Sequence, residues 1–348
     1  MKAVIDIGTI LVHAALAAQE TKVVVTHKKS GRQKEFDNAT QFWGHHSKKA
    51  GGWLQSTNDA RVEKGLSPFS VEDFDVDSHT NLVDGFGASP EAVACGRLNN
   101  KIKSITDNAW CDDYVICLGV GENFRYAEAH TQPYKHGRSP KPLLLEYVKE
   151  YMIRKYKDKL IIVQGVEDDD IVSSILWQDW INSGKDHSRL STVGVYVDKD
   201  IKQIPCWHYD FDNPQNGLAR ITSEQSHFYF ATQLLIGDST DSIPPLPSLD
   251  ESLTKEWGVR KTKGVGKKTA EAILEGQTPQ GMYERVSEAY RAYYGPEKKS
   301  FTTFRGDVVQ WDWMDHLNER FQLLRLRRDV LHPVGHVKDF LKEQGVVV

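Results

Sequence analysis

Short apolar, β-branched runs recur through the first two thirds of the chain. "KAVIDI" (2–7), "YVICLGV" (114–120), "KLIIVQGV" (159–166) and "TVGVYVD" (192–198) each predict a buried strand. Between them, "PLLLEYVKEYMIRKYK" (142–157) and "DDIVSSILWQDWINSG" (169–184) carry helical spacing, the second with an acidic start and a closing glycine. Strands alternating with helices predict an α/β fold, a mostly parallel central sheet flanked by helices, in which function gathers at the carboxyl ends of the strands. Asp6, the run Glu167 to Asp170, and Asp198 with Asp200 fall at such ends.

From about residue 225 the pattern turns to helices punctuated by glycine and proline, as in "HFYFATQLLIG", "KKTAEAILEG" and "MYERVSEAYRAYY". The organisation expected is therefore an α/β core over 1–225 and a helical region over 226–348. Residues 19–88 form an insertion in the core; its first part predicts a hairpin turning at Lys29–Gly31, and the remainder shows no clean period.

Composition changes this picture little. At 348 residues, with 39% hydrophobic and 26% charged positions, the chain reads as an ordinary globular protein. Asp6 and His13 interrupt the first apolar run, so neither a leader nor a membrane span is expected and the location expected is cytoplasmic. Cys95, Cys111, Cys117 and Cys206 make no zinc pattern, and reduced thiols are expected. "WQDW" and "WDWMDHL" suit core helices, and His45, His46 and His130 suit surface or loop positions.

Charge is more informative. The net value of −4 argues against a nucleic-acid partner until its distribution is read. Basic residues gather in "THKKSGRQK", "YKHGRSPKP", "RKTKGVGKK" and "RFQLLRLRRD", while carboxylates crowd into short motifs. That separation suits a chain that holds cations with its acids and phosphates with its bases.

The acids carry the chemistry. "GVEDDDIVSSI" opens a helix with four consecutive carboxylates; capping explains one or two, and the rest repel one another unless cations neutralise them. Asp198 and Asp200, two apart, share one side if both remain extended, and Asp238 and Asp241, three apart in "LIGDSTDSIP", share one face if the turn is helical. Few carboxylates with water and substrate phosphate is how Mg²⁺ is held, and two such ions about 3.5–4 Å apart serve phosphodiester hydrolysis. "KGVGKKTAEAILEG" lacks the spacing of a nucleotide phosphate loop. Its glycine turn into a helix N-terminus instead suits contact with a nucleic-acid backbone, as in a hairpin between two helices.

The ordered series "VIDIG", "FRYAEAHTQPYKHGR", "GVEDDDIV", "VDKDIKQI", "GDSTDSIP" and "GVGKKTA" resembles the 5′-nuclease family: bacteriophage 5′→3′ exonucleases, flap endonucleases and the 5′-nuclease domain of bacterial DNA polymerase I. The resemblance covers roughly residues 110–280 and the strand holding Asp6. It implies a PIN-like 5′-nuclease core, a helical arch over about 125–158, and a helix–hairpin–helix in the C-terminal region. It further implies divalent-metal-dependent 5′→3′ exonuclease and flap endonuclease activity on DNA 5′ ends, flaps or RNA–DNA hybrids. The implied metals are Mg²⁺ or Mn²⁺, two or more ions, held by Asp6, Glu167, Asp169, Asp170, Asp198, Asp200, Asp238 and Asp241. Asp168 stands where relatives carry a small uncharged residue and is left out of that set. Lys135, Arg138 and Arg125 correspond to phosphate-contacting cations, and Tyr134, Lys141, Gly264, Gly266, Lys267, Lys268 and Thr269 to DNA-binding positions, with K⁺ implied at the hairpin. The compact chain and its long insertion suggest a phage protein; a monomer acting in replication or recombination, with replication proteins as partners, is the accompanying expectation.

Two departures stand out. Relatives carry an aspartate at the end of the strand before "FR", where this chain has Leu118, Gly119 and Val120; Glu122 on the following loop is the candidate replacement. Residues 245–263 form a longer link than relatives have before the glycine hairpin. The missing acid leaves open a DNA-structure-binding protein with weakened chemistry, and a PIN-like ribonuclease is the third reading.

Overall fold

The computed structural model describes residues 1–44, 51–85, 87–260 and 263–348. His45 and His46, and Lys261 and Thr262 of the third basic cluster, lie outside the described residues. In chain order the elements begin β1 (Lys2–Asp6), α1 (Gly8–Leu16), β2 (Gln19–His27), β3 (Gln33–Phe36), α2 (Ala39–Trp43), α3 (Trp53–Glu63), β4 (Phe74–Leu82) and α4 (Pro90–Asn108). There follow β5 (Asp113–Val120), α5 (Arg125–Glu128), α6 (Leu145–Lys155), β6 (Leu160–Gln164), α7 (Asp168–Asn182), β7 (Thr192–Val195), β8 (Cys206–Tyr209) and β9 (Leu218–Ile221). The last part holds α8 (Ser223–Ile236), α9 (Glu251–Glu256), α10 (Lys267–Leu274), α11 (Pro279–Tyr294), β10 (Lys299–Thr302), β11 (Val308–Trp311), α12 (Trp313–Leu324) and α13 (Val337–Glu343).

The chain divides into two compact units. The first comprises Met1–Ile10, Lys101–Pro140 and Ile153–Val348, so the helical region from 226 onward lies in the same unit as the central sheet. That sheet has the order β6-β5-β1-β7-β8-β9, parallel throughout except for β9, which pairs antiparallel with β8. Central β1 is buried from Ala3 to Asp6, as a parallel strand covered on both faces requires. The mostly parallel α/β fold read from the sequence is the fold observed.

Local chemistry sets the element ends that matter. The α7 helix is capped by Glu167 and has three acids in its first turn, where the helix dipole favours negative charge. The α8 helix opens with a reciprocal cap, Thr222 Oγ1 accepting from Gln225 N–H at 3.2 Å and Gln225 Oε1 from Thr222 N–H at 2.8 Å. It closes at Gly237, whose φ of +64° and lack of a side chain are both needed, since a Cβ there would stand 2.2 Å from Ile243 O. Around α8 the helices α10 to α13 bury Phe230, Leu234, Ile273, Tyr290, Phe321 and Leu341 in one apolar core.

The second unit comprises Leu11–Asn100 and Lys141–Met152. Its antiparallel sheet has the order β3-β2-β4, with the hairpin between β2 and β3 turning at the residues read from the sequence. Val23, Val25, Phe36 and Phe74 face inward with Phe42 and Leu54. All four cysteines are free thiols, and among the described residues no helix is long and apolar enough to cross a membrane.

Two histidines of the first unit give a pH signature. Burial pushes His227 and His316 from 6.5 down to about 4; Arg328 and Arg325 add to the shift at His227. The unfolded chain protonates these rings near 6.5 while the folded chain resists until about 4, so stability is expected to fall as pH drops through that window. Urea midpoints measured from pH 7 to pH 4 should fall less steeply in His227→Gln and His316→Gln than in the parent chain.

Candidate active site

The carboxylates singled out in the sequence gather at the carboxyl ends of β1 and β7 and at the facing ends of α7 and α8. Asp6 closes β1 and is only 7% exposed; its Oδ1 accepts Gly8 N–H at 3.1 Å. Burial first, then repulsion from Asp168, Asp198 and Glu167, pushes its carboxyl up to about 8. Four acids from three segments thus lie close enough to oppose one another's ionisation.

The first turn of α7 distributes its acids to different tasks. Asp170 is fully buried and bound bidentately by Arg125, at 2.7 and 2.8 Å. It also accepts the N–H groups of Arg327 at 3.0 Å and Glu167 at 3.2 Å. Arg125 spends its remaining donors on the carbonyls of Leu323 and Arg325, at 3.0 and 3.1 Å. Burial opposes charge on both groups, but the pairing outweighs it and holds Asp170 below and Arg125 above their ordinary values. The expectations that Asp170 binds metal and that Arg125 contacts substrate phosphate do not match this placement, because Arg125 is 1% exposed with four side-chain hydrogen bonds to protein and its Nη1 also 3.5 Å from Glu167 Oε2, and Asp170 is enclosed by it.

Asp169 has the opposite surroundings. Its Oδ1 is buried without a hydrogen-bond partner, and burial with repulsion from Glu167 and Asp170 pushes it well above the carboxylate range. Glu167 is held below that range, since Arg125 and Lys135 outweigh its burial. Lys135 is ion-paired with Glu167, and its own backbone N–H donates to Asp241 O at 2.9 Å. The Tyr134 hydroxyl lies 3.1 Å from Glu167 Oε2 and 2.9 Å from Asp241 Oδ2. Arg138 reaches Asp241 Oδ1 at 2.8 Å and is otherwise half exposed. Segment 134–138 is therefore docked against both acids, with Lys135 in the left-handed region at φ +56°.

The third group corrects two geometric expectations. Asp198 does not continue an extended strand: it caps the 3₁₀ turn Lys199–Gln203, its Oδ1 accepting Asp200 N–H at 2.9 Å. Asp200 points to Tyr229 Oη at 3.0 Å and Gln233 Nε2 at 2.8 Å. Burial, then repulsion from Asp198 and Asp238, pushes it up to about 7. Asp238 and Asp241 do not lie on a helical turn either; paired 2.8 Å bonds between Asp238 and Ile243 close a loop that Gly237 admits. Asp238 is 4% exposed and paired with Lys199 at 2.7 Å. Burial first, and then Asp241 and Asp238, raises Asp198.

Asp168, set aside in the sequence reading, sits at the centre. Its Oδ1 accepts Gly119 N–H at 2.5 Å, and its Oδ2 occupies space 2.6 Å from where Gly8 would carry a Cβ. A Cβ on Gly119 would stand 2.2 Å from Val166 O. Position 119 of β5 thus has no room for a side chain, and a carboxylate from α7 accepts its N–H. Glu122, the expected replacement, is solvent-exposed on the following loop. No sequence signal marked Asp168 beyond its membership of the quartet; the two glycines that make space for it are 49 and more residues away.

The remaining expected residues lie apart from the acids in character. Gly264 has φ +83°, and Gly266 caps α10. Lys267, Lys268 and Gly266 are exposed at that helix start, with Lys267 3.7 Å from Glu271. Thr269 lies in the first turn of α10. Lys141 belongs to the second unit and faces Glu146 at 4.0 Å.

Among the described residues no three of His, Cys, Asp or Glu converge into a ready-made metal sphere. The donor chemistry nevertheless fits a hard divalent cation: oxygen ligands, an orphaned buried oxygen on Asp169, and acids whose ionisation is opposed by burial and by one another.

The chain is similar to a flap endonuclease. The likeness is to a variant of the bacteriophage T5 D15 flap endonuclease in a pseudo-enzyme–product complex with DNA and metal ions, at 13% identity over 57% of this chain and 84% of that one, with a TM-score of 0.35. The bacteriophage T5 D15 protein co-crystallised with metal ions is similar at 12% identity over 72% of this chain and 91% of that one, TM-score 0.32. No family model and no curated protein matches. Likeness at this level assigns no residue, and the site rests on the side chains above.

Removing one partner of the buried pair leaves a charge stranded. Arg125→Leu and Asp170→Leu should each cost about 3–5 kcal/mol of unfolding free energy in urea titrations. The double variant should lose clearly less than the sum of the two.

Proposed function

We propose that the chain is a divalent-metal-dependent 5′-nuclease that hydrolyses phosphodiesters near DNA 5′ ends or flaps, in phage replication or recombination. The observation that carries this reading is the approach of Asp6, Asp168, Asp198 and Asp238 from four separate segments, with the neighbouring Asp169 Oδ1 buried and unpartnered. Mg²⁺ or Mn²⁺ held by these oxygens would supply Lewis acidity toward water and the scissile phosphate. Each other part of the crevice has its own role.

Lys135 and Arg138, charge-paired with Glu167 and Asp241, stand where an incoming phosphate can exchange for those carboxylates and have its negative charge neutralised. Tyr134 positions Glu167 and Asp241 through its hydroxyl. Asp168 takes over the role of the missing strand-end acid. Asp170 and Arg125 hold the first turn of α7 in place and do not touch substrate. Gly264, Gly266, Lys267, Lys268 and Thr269 suit a sequence-independent grip on duplex phosphates through backbone N–H groups and charge, with K⁺ at the turn part of the proposal.

A second reading, a DNA-structure-binding protein with weakened chemistry, is favoured by the lack of a ready-made three-ligand sphere among the described residues. A 5′-flap duplex labelled on the flap strand separates the two. Short products in Mg²⁺ or Mn²⁺, absent with EDTA and absent in Asp169→Ala, are expected; flap binding with no cleavage in either metal supports the second reading. Preferential cutting of single-stranded RNA would point to a ribonuclease.

Asp168→Asn keeps the acceptor for Gly119 N–H but loses the charge. It should lower cleavage by about 10²-fold or more and weaken Mn²⁺ binding in calorimetry, with thermal stability retained. Unchanged Mn²⁺ affinity would remove Asp168 from the site.

A further inference from the structure

A concavity of about 810 Å³ opens within the second unit, between the β2–β3 hairpin and α3. Its floor is aromatic. The ring of His27 lies 4.8 Å from Phe69 and 5.3 Å from Phe74, Phe69 and Phe74 lie 5.4 Å apart, and Trp53 lies 6.2 Å from Phe74. Phe74 is buried, but His27, Trp53 and Phe69 keep part of their surface open.

The walls are cationic. Lys29, Arg32, Lys34 and Arg61 line the groove, and none of them is in an ion pair among the described residues. Asp73 is the one carboxylate in the lining among the described residues, and its Oδ2 already accepts Ser70 N–H at 2.7 Å. The Lys34 ammonium lies 4.9 Å from the Trp53 ring centroid. The Arg61 guanidinium stacks 3.8 Å over Phe69 and is steadied by Ser67 O at 2.7 Å. Four like charges around a half-open aromatic floor are complementary to a ligand with anionic groups and flat rings.

We propose that this groove binds a single-stranded segment of nucleic acid, its phosphates along Lys29, Arg32 and Lys34 and its bases over the aromatic floor. A duplex would offer the cations its phosphates but keep its bases stacked away from the floor. An acidic peptide would satisfy the cations and leave the rings without a partner. The volume lies within the range of about 300–1,000 Å³ typical of ligand sites. The site belongs to the insertion and does not depend on whether the acids of the first unit cleave.

The test uses the full chain in EDTA, so that binding is read without hydrolysis, by fluorescence anisotropy of a labelled oligothymidylate of about 16 nucleotides. Lys29→Glu combined with Arg32→Glu alters two exposed side chains at the hairpin turn, and circular dichroism should match the parent. Single-strand affinity is expected to fall about tenfold or more, with the salt dependence reduced by about 1.4 in log–log slope for two lost phosphate contacts. Affinity for a blunt duplex should stay within about twofold. Unchanged single-strand binding, or equal loss on single strand and duplex, would overturn the proposal. So would displacement of the oligonucleotide by polyglutamate at matched charge as readily as by unlabelled oligothymidylate, which would make the groove an acidic-peptide site.

Discussion

The first unit is organised around a charge pair with almost no access to water. Arg125 and Asp170 are 1% and 0% exposed, and together they gather the loop after β5, the first turn of α7 and the chain leaving α12. Burial of two such charges is costly unless their donors and acceptors find partners, and here the carbonyls of Leu323 and Arg325 and the N–H of Arg327 add to the pair's own two bonds. With Asp170 anchored inward, the helical rotation of about 100° per residue sends its neighbours elsewhere. Asp168 turns to the ends of β1 and β5, and Asp169 is left with a buried, unpartnered oxygen.

Around that anchor the chain concentrates charge by sign. Lys135 and Lys199 are the local counterweights, one on Glu167 and one on Asp238. Burial and like charge outweigh these counterweights at Asp6 and Asp200, which are pushed up to about 8 and about 7. Perturbation on this scale, produced by burial and like charges together in one crevice, is characteristic of functional sites, although buried structural networks produce it too. Asp170 is of the structural kind, its charge compensated by Arg125, whereas Asp169 Oδ1 is buried without a hydrogen-bond partner.

Much of the first unit was legible in the sequence because buried parallel strands are continuous apolar runs and their carboxyl ends are where "VIDIG", "GVEDDDIV" and "VYVDKD" place acids. Side-chain direction was not legible. Asp198 and Asp200 read as an extended pair, but the capping bond at Asp198 curls the chain into a 3₁₀ turn. Arg125 was expected to contact phosphate, and only its long-range contacts with residues 170, 323 and 325 place it in the interior. In the insertion the hairpin announced itself, whereas β4 did not. Its period-2 pattern of Phe74 and Val76 against Asp75 and Asp77 was hidden by acids on the solvated face.

The glycine at the end of β5 ties two distant positions together. Because the backbone of residues 166–167 fills the space beside Gly119, a side chain cannot be added at that position without moving that backbone, and the carboxylate that bonds its N–H comes from Asp168. The location of the charge is therefore a joint property of strand and helix. Substitutions at Gly119 and at Asp168 therefore act on one shared contact, and their effects are not expected to add.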